Sequence, residues 1–247
     1  MRMRNSERGM SLVEVTIILA VIGLLTSVAA PSISDYIEDT RQVRAKHDVQ
    51  AIGGAIVRLV RDTGMGCLST TPSPLSTACT KTNRVDLLLS TGNYPVTTAA
   101  DYAAPGGTNS AAAANNNWMG GTTPVGVANR RPIWEQFVNN APGYPSVTFT
   151  AGGGAKPGSG WRGAYLESAG PDPWGFVYQA NTMFLLPASN ASAGTTNGLV
   201  NGGWINDVIV ISAGRDATIA TPFGSDTTGA TAVTGDDVVY VVSGSSR

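Results

Sequence analysis

The hydrophobic pattern of the first sixty residues changes character partway along. Met10 to Ala30 (MSLVEVTIILAVIGLLTSVAA) is an almost unbroken apolar run of about 21 residues. As a helix it would measure about 32 Å, enough to cross a hydrocarbon core of about 30 Å. Past Ala30 the apolar positions thin to a stripe: Ile33, Tyr36/Ile37, Thr40, Val43, Val49, Ile52, Ile56 and Leu59 recur mostly three and four apart, with one gap around Lys46. Asp35, Glu38, Asp39, Arg41, Arg44, Arg58 and Arg61 fill the positions between. The pattern predicts one long helix to about Asp62, apolar all round in its first half and amphipathic in its second. The amphipathic half needs a sheet to cover it. Gly53-Gly54 weaken it locally and would let another backbone approach.

The rest of the chain alternates short apolar runs with long polar stretches. Residues 63–84 form a Ser/Thr/Pro-rich loop. Val85–Ser90 is expected as a short helix, capped by Thr82 or Asn83 and ended by Thr91-Gly92. Residues 97–131 are rich in Ala, Gly, Thr and Asn and read as surface insertion. Pro132–Asn140 is expected as one helix with Ile133, Trp134 and Phe137 facing inward. Strands are expected at Phe176–Gln179, Met183–Leu186, Asp207–Ser212 and Asp237–Ser243, from their branched and aromatic content. The fold class is α+β: a long N-terminal helix on a small antiparallel sheet, with a long insertion over 97–160.

Composition adds little and excludes some functions. Only 13% of the 247 residues are charged and the net charge is −1, with no basic block of the kind nucleic acid requires. One histidine, His47, leaves no Ser-His-Asp arrangement; it reads as a polar-face helix residue, and no phosphate loop is present. An enzyme is not expected. Cys67 and Cys79, the only cysteines, are too few for a zinc site. In an exported chain they read as a disulfide closing a short loop, two unpaired thiols being the alternative.

The N-terminus decides where the chain goes. Arg2, Arg4 and Arg8 stand against a single Glu7 before the apolar run, which predicts a cytoplasmic leader and an exported remainder. A removable secretory signal would be cut near Val28-Ala29-Ala30. Pro31 directly after that cut, Glu14 inside the apolar run and the helical pattern continuing past Ala30 all count against it. A carboxylate at such a position costs about 3 kcal/mol on insertion scales and marks a functional role.

Arg8-Gly9-Met10-Ser11-Leu12-Val13-Glu14-Val15 resembles the precursor signature of the type IV pilin family: a short basic leader ending in glycine, then glutamate at the fifth mature position. Pro31 also falls where these helices commonly carry a proline. The resemblance implies cleavage by a prepilin peptidase between Gly9 and Met10, N-methylation of Met10 in place of the usual phenylalanine, and an assembly role for Glu14. It implies a leader over 1–9, a transmembrane and filament-core helix over 10–33, and a periplasmic globular domain over 34–247.

A second resemblance starts at Trp161. Trp161-Arg162-Gly163-Ala164-Tyr165-Leu166 followed by Pro171-Asp172-Pro173-Trp174-Gly175-Phe176-Val177-Tyr178 is similar to the major pseudopilin of type II secretion, with Ala164 in place of a proline. That family also has an S-x-G-x-D segment and a later acidic pair that bind calcium. The matching residues here are Ser212, Asp216, Asp236 and Asp237, with Asp226 as a further candidate. Carboxylates and loop carbonyls suit a hard cation. As plain structure these aspartates would make turns and solvate a loop.

The function implied is a structural subunit of a helical filament, foremost the major pseudopilin of a type II protein secretion system. Its partners would be copies of itself, minor pilin-like subunits, the prepilin peptidase, an inner-membrane assembly platform and the membrane; nucleic acid is not expected. A surface type IV pilus subunit for adhesion, motility or DNA uptake is the nearest alternative. A membrane-tethered periplasmic binding module is the alternative of another class.

Overall fold

The computed structural model describes residues 10–70, 85–97, 118, 130–146, 158–185, 199–200, 203–204, 207–223 and 233–242. Gly9, Cys79 and Asp226 lie outside the described residues. The chain divides after Arg41 into two units, the second being Gln42–Arg247.

Helix α1 runs Leu12–Thr63 with Pro31 inside it and Glu14 in its first turn. Its apolar stretch is long enough to cross a membrane, and none of it is buried. In the second unit the same helix buries Val49, Ile52, Ile56 and Leu59 of the stripe anticipated from the sequence, together with Ala45 and Ala55, while Val43, expected in that stripe, is exposed. His47 is exposed.

The remaining elements are short. Strands β1 (Leu87–Leu89), β2 (Val96–Thr97) and β3 (Arg130–Pro132) precede helix α2 (Ile133–Phe137). Strand β4 (Gln179–Ala180), a 3-10 turn over Thr182–Leu185, β5 (Leu199–Val200), β6 (Gly203–Trp204), β7 (Val208–Ser212), β8 (Thr218–Ile219) and β9 (Val238–Val242) follow. Five strands form the main sheet in the order β3-β1-β4-β7-β9; β2 pairs with β8 and β5 with β6. Strand β7, VIVIS, is buried at all five positions because a neighbour flanks each edge and side chains pack on both faces, a setting that favours β-branched residues.

Five expectations need correction. The helix expected over Pro132–Asn140 is only Ile133–Phe137, and it leaves Trp134 exposed while burying Ile133 and Phe137. The sheet is mixed, because edge strand β3 runs parallel to β1. Where a helix was expected over 85–90, Leu87–Leu89 form β1: three leucines buried on both sides suit a short internal strand better than an amphipathic turn of helix. Residues 182–185 coil into a 3-10 turn, where Thr182 Oγ1 donates to the Val85 carbonyl at 2.8 Å. The stretch 97–160 is also more than insertion. Arg130–Pro132 pairs in the sheet, while Trp118, Ile133, Phe137 and Tyr144 are all buried in the core.

Buried polar groups tie this stretch to the cysteine loop. The Tyr144 hydroxyl donates to Gln136 Oε1 at 2.7 Å and accepts from the Ser69 N–H at 3.0 Å. Burial pushes the Tyr144 phenol upward, so it is a fixed hydrogen-bond donor at any ordinary pH.

Candidate functional site

Two regions hold the residues singled out from the sequence. The first is the start of α1. Met10 is 66% exposed, and the Val15 N–H donates to the Ser11 carbonyl, so helical bonding is established one residue past Met10. Glu14 is exposed one turn along from Met10, within a surface of exposed large apolar side chains. Such a surface has to be covered, by lipid or by protein.

The second region is the turn that begins at Pro171 and the acidic loop beside it. Asp172 is 3% exposed and organises its own turn: Oδ1 accepts from the Trp174 N–H at 3.0 Å and the Phe176 N–H at 2.7 Å. Its Oδ2 accepts from the Ser212 hydroxyl at 2.6 Å. Gly175, at φ +93°, permits the tight geometry. Gly92 packs against the Phe176 backbone so closely that a Cβ there would fall 2.8 Å from the Phe176 carbonyl carbon. Burial raises the Asp172 carboxyl above its ordinary range, opposed by the Ser212 hydroxyl and the backbone donors of the turn.

Further along, Tyr178 extends the turn onto α1. Its hydroxyl donates to Asp48 Oδ2 at 2.8 Å, and Arg44 Nε lies 3.7 Å from the same oxygen. Trp161 stacks on Tyr144 with 6.3 Å between centroids and meets Tyr165 edge-on at 4.8 Å. The Tyr165 hydroxyl reaches Asp62 at 3.2 Å, which anchors this segment to the end of the helix. Trp161, Tyr165, Asp172 and Tyr178 thus pack and position this stretch.

The antiparallel register of β7 and β9 pairs Ser212 with Val238. It therefore sets Asp236 and Asp237 beside residues 213–216, because the end of one antiparallel strand lies next to the start of the other. Asp236 Oδ2 accepts from the Arg215 N–H at 2.7 Å and the Asp216 N–H at 3.0 Å. Gly214, at φ +67°, lies against the Asp236 carbonyl and carboxylate, and no side chain would fit there. The Asp216 N–H bond brings its carboxyl near that of Asp236. Asp216 is raised by desolvation first and by this neighbour as well, against the lowering effect of the Thr218 N–H.

Asp237 turns elsewhere. Its Oδ2 accepts from the Ala220 N–H, the Thr221 N–H and the Thr221 hydroxyl at 3.0, 2.8 and 2.7 Å. Burial raises its carboxyl despite these donors. The structure thus joins Asp216 with Asp236, while Asp237 directs its Oδ2 to Ala220 and Thr221 and Ser212 directs its hydroxyl to Asp172. Ser212, expected as a calcium ligand, spends its hydroxyl proton on Asp172 while its oxygen accepts from the Gly214 N–H at 3.3 Å. Among the described residues no three His, Cys, Asp or Glu side chains converge as a metal-ligand set. One observation favours a cation nonetheless: Oδ1 of Asp236 and Oδ1 of Asp237 are buried without a hydrogen-bond partner. An orphaned buried acceptor costs about 1–3 kcal/mol, more when charged. A cation held by Asp216, Asp236 and loop carbonyls would relieve the first of these.

Cys67 is buried at 2% exposure, and no free cysteine stands among the described residues. Sequence reasoning missed Asp172 as a hub and the Asp48–Tyr178 pair. The second joins residues 130 positions apart.

Compared with known protein families, with curated proteins and with solved structures, the chain matches none.

Proposed function

We propose that this chain is the precursor of a type IV pilin-like filament subunit, most like the major pseudopilin of a type II secretion system. The observation that carries the reading is the start of α1: an exposed apolar helix with a lone carboxylate in its first turn, following Gly9 and a basic leader. Cleavage after Gly9 would create an amine four positions from Glu14. Stacked against copies of itself, the helix would bury its apolar surface outside the lipid. An unpaired charge in such a bundle is expensive, so amine–carboxylate pairing between subunits rewards one axial register.

The same helix would anchor the subunit in the inner membrane before assembly, with the Gln42–Arg247 unit in the periplasm. The subunit itself performs no chemistry in this reading. Minor pilin-like subunits, the prepilin peptidase and a membrane assembly platform are its implied partners. A calcium ion between Asp216 and Asp236 would hold the acidic loop in one shape, adding to the backbone bonds that Asp236 already makes.

The test is Glu14→Ala expressed without wild-type subunit. Membrane insertion should be intact, because a buried charge has been removed, while filament yield should fall at least tenfold. Normal yield would contradict the pairing mechanism.

A further inference from the structure

Beside the acidic loop lies a cavity of about 440 Å³, walled by Gln42, Lys46 and Gln50 on α1 and by Asp236, Asp237 and Tyr240 on the β9 side. Asp237 is only 8% exposed, and its Oδ1 has no partner; the same is true of Asp236 Oδ1. Both residues line this cavity, and two carboxylate oxygens withdrawn from water call for a donor; a cationic donor makes bonds about twice as strong as a neutral one. Gln42 and Gln50 offer neutral amides. Lys46 is the cationic residue among those that line the cavity, it is exposed, and none of the ion pairs among the described residues includes it. Its flexible four-carbon stem and three N–H donors suit a partner reached across open space.

We propose that the ε-ammonium of Lys46 seats in this cavity against Asp237 and Asp236. It is a tethered cation that latches α1 to the start of β9 and that a divalent cation entering the acidic loop has to displace. The latch does not depend on the filament reading; the displacement rests on the calcium part of it. An ammonium and a calcium ion would both draw on the Asp236 carboxylate, so each occupant weakens the other. Lys46 thereby reports on the loop from the helix side.

The experiment is amine acetylation of the full chain in detergent micelles, with the rate at Lys46 read by peptide mass spectrometry. In chelator, Lys46 should react at least threefold more slowly in the wild type than in Asp237→Asn, and calcium should accelerate the wild type towards the variant's rate. Equal rates in wild type and Asp237→Asn would overturn the latch. A slow wild-type rate that calcium leaves unchanged supports the latch and removes calcium from the loop, so the two ideas fail separately. Because Asp237 also bonds Thr221, a second measurement guards against a misfolded variant. Lys46→Gln lies on an exposed helix position, and the melting temperatures of Lys46→Gln, Asp237→Asn and the double variant form a cycle. Non-additive shifts, with the double variant falling little below Asp237→Asn alone, support the contact; strictly additive shifts overturn it.

Discussion

The hydroxyl of Ser212 donates to Asp172 Oδ2 at 2.6 Å, tying the last residue of β7 to the turn that opens the Pro171–Tyr178 segment. The partners are 40 positions apart, and both are buried. One carboxylate thus holds two backbone N–H groups of its own turn and the strand end from which the acidic loop departs. Asp172→Ala would orphan all three donors. Bonds to a charged acceptor are worth about 1.5–3 kcal/mol each, with strong non-additivity, so a loss of about 3 kcal/mol is expected. Urea denaturation of the full chain measures it.

The same carboxyl gives a pH signature. Its folded pKa is raised by burial, so its contribution is fully present below the unfolded carboxylate pKa and is lost as pH rises through the folded value. The stability of the wild type relative to Asp172→Asn should therefore be greatest in acid and decline towards neutral pH. Denaturation midpoints of both proteins across that range check the sign. A difference that grows with rising pH would mean that the fold stabilises the carboxylate over the acid.

Adjacent glycines on α1 should respond oppositely to alanine. A Cβ on Gly53 would run into the Tyr240 ring, whereas one on Gly54 meets nothing within 4 Å. Gly53→Ala should cost about 1–3 kcal/mol through overpacking. Gly54→Ala should be neutral or stabilise by up to about 1 kcal/mol, because alanine is the better helix former. Thermal melts of the two variants side by side decide this.

The sequence made this helix legible because the period of its apolar positions is local information. From Val49 to Leu59 the stripe in the sequence is the face that is buried. Strands β7 and β9 were equally plain, since both are runs of branched residues between turn signals. What escaped was fixed by pairing over long separations. Whether Leu87–Leu89 coils or extends depends on Arg130–Pro132 and Gln179–Ala180 arriving on either side, and no local pattern reports that. The candidate site divides the same way. The likeness of Ser212 to a metal ligand lay in its spacing from Asp216, whereas its engagement by Asp172 is a tertiary fact. Gly9 and Glu14, by contrast, stand out through local sequence alone, as the proposed function requires of a segment that an enzyme and a membrane would read before any fold exists.

Calcium should raise the melting temperature of the full chain in detergent, and chelator should lower it, because an ion that binds only the native state stabilises it by mass action. At a hundred times the dissociation constant the gain is about 2.7 kcal/mol. Asp236→Ala should abolish the shift. A melting temperature indifferent to calcium would leave Asp216 and Asp236 as a carboxyl pair that shapes the turn.

Cys67 and Cys79 should be joined, closing a loop of about a dozen residues worth about 3 kcal/mol by chain entropy. Non-reducing peptide mapping should recover one cross-linked peptide, and two free thiols would refute the bridge.

The central claim is tested most directly at the mature N-terminus. Intact-mass and N-terminal peptide analysis of membrane-extracted protein should find a chain that begins at Met10, carrying one added methyl group on its amine. Removing Arg2, Arg4, Arg8 and Glu7 takes the formal charge from −1 to −3. A chain that begins at Pro31, with the apolar segment and Glu14 removed, would contradict the account.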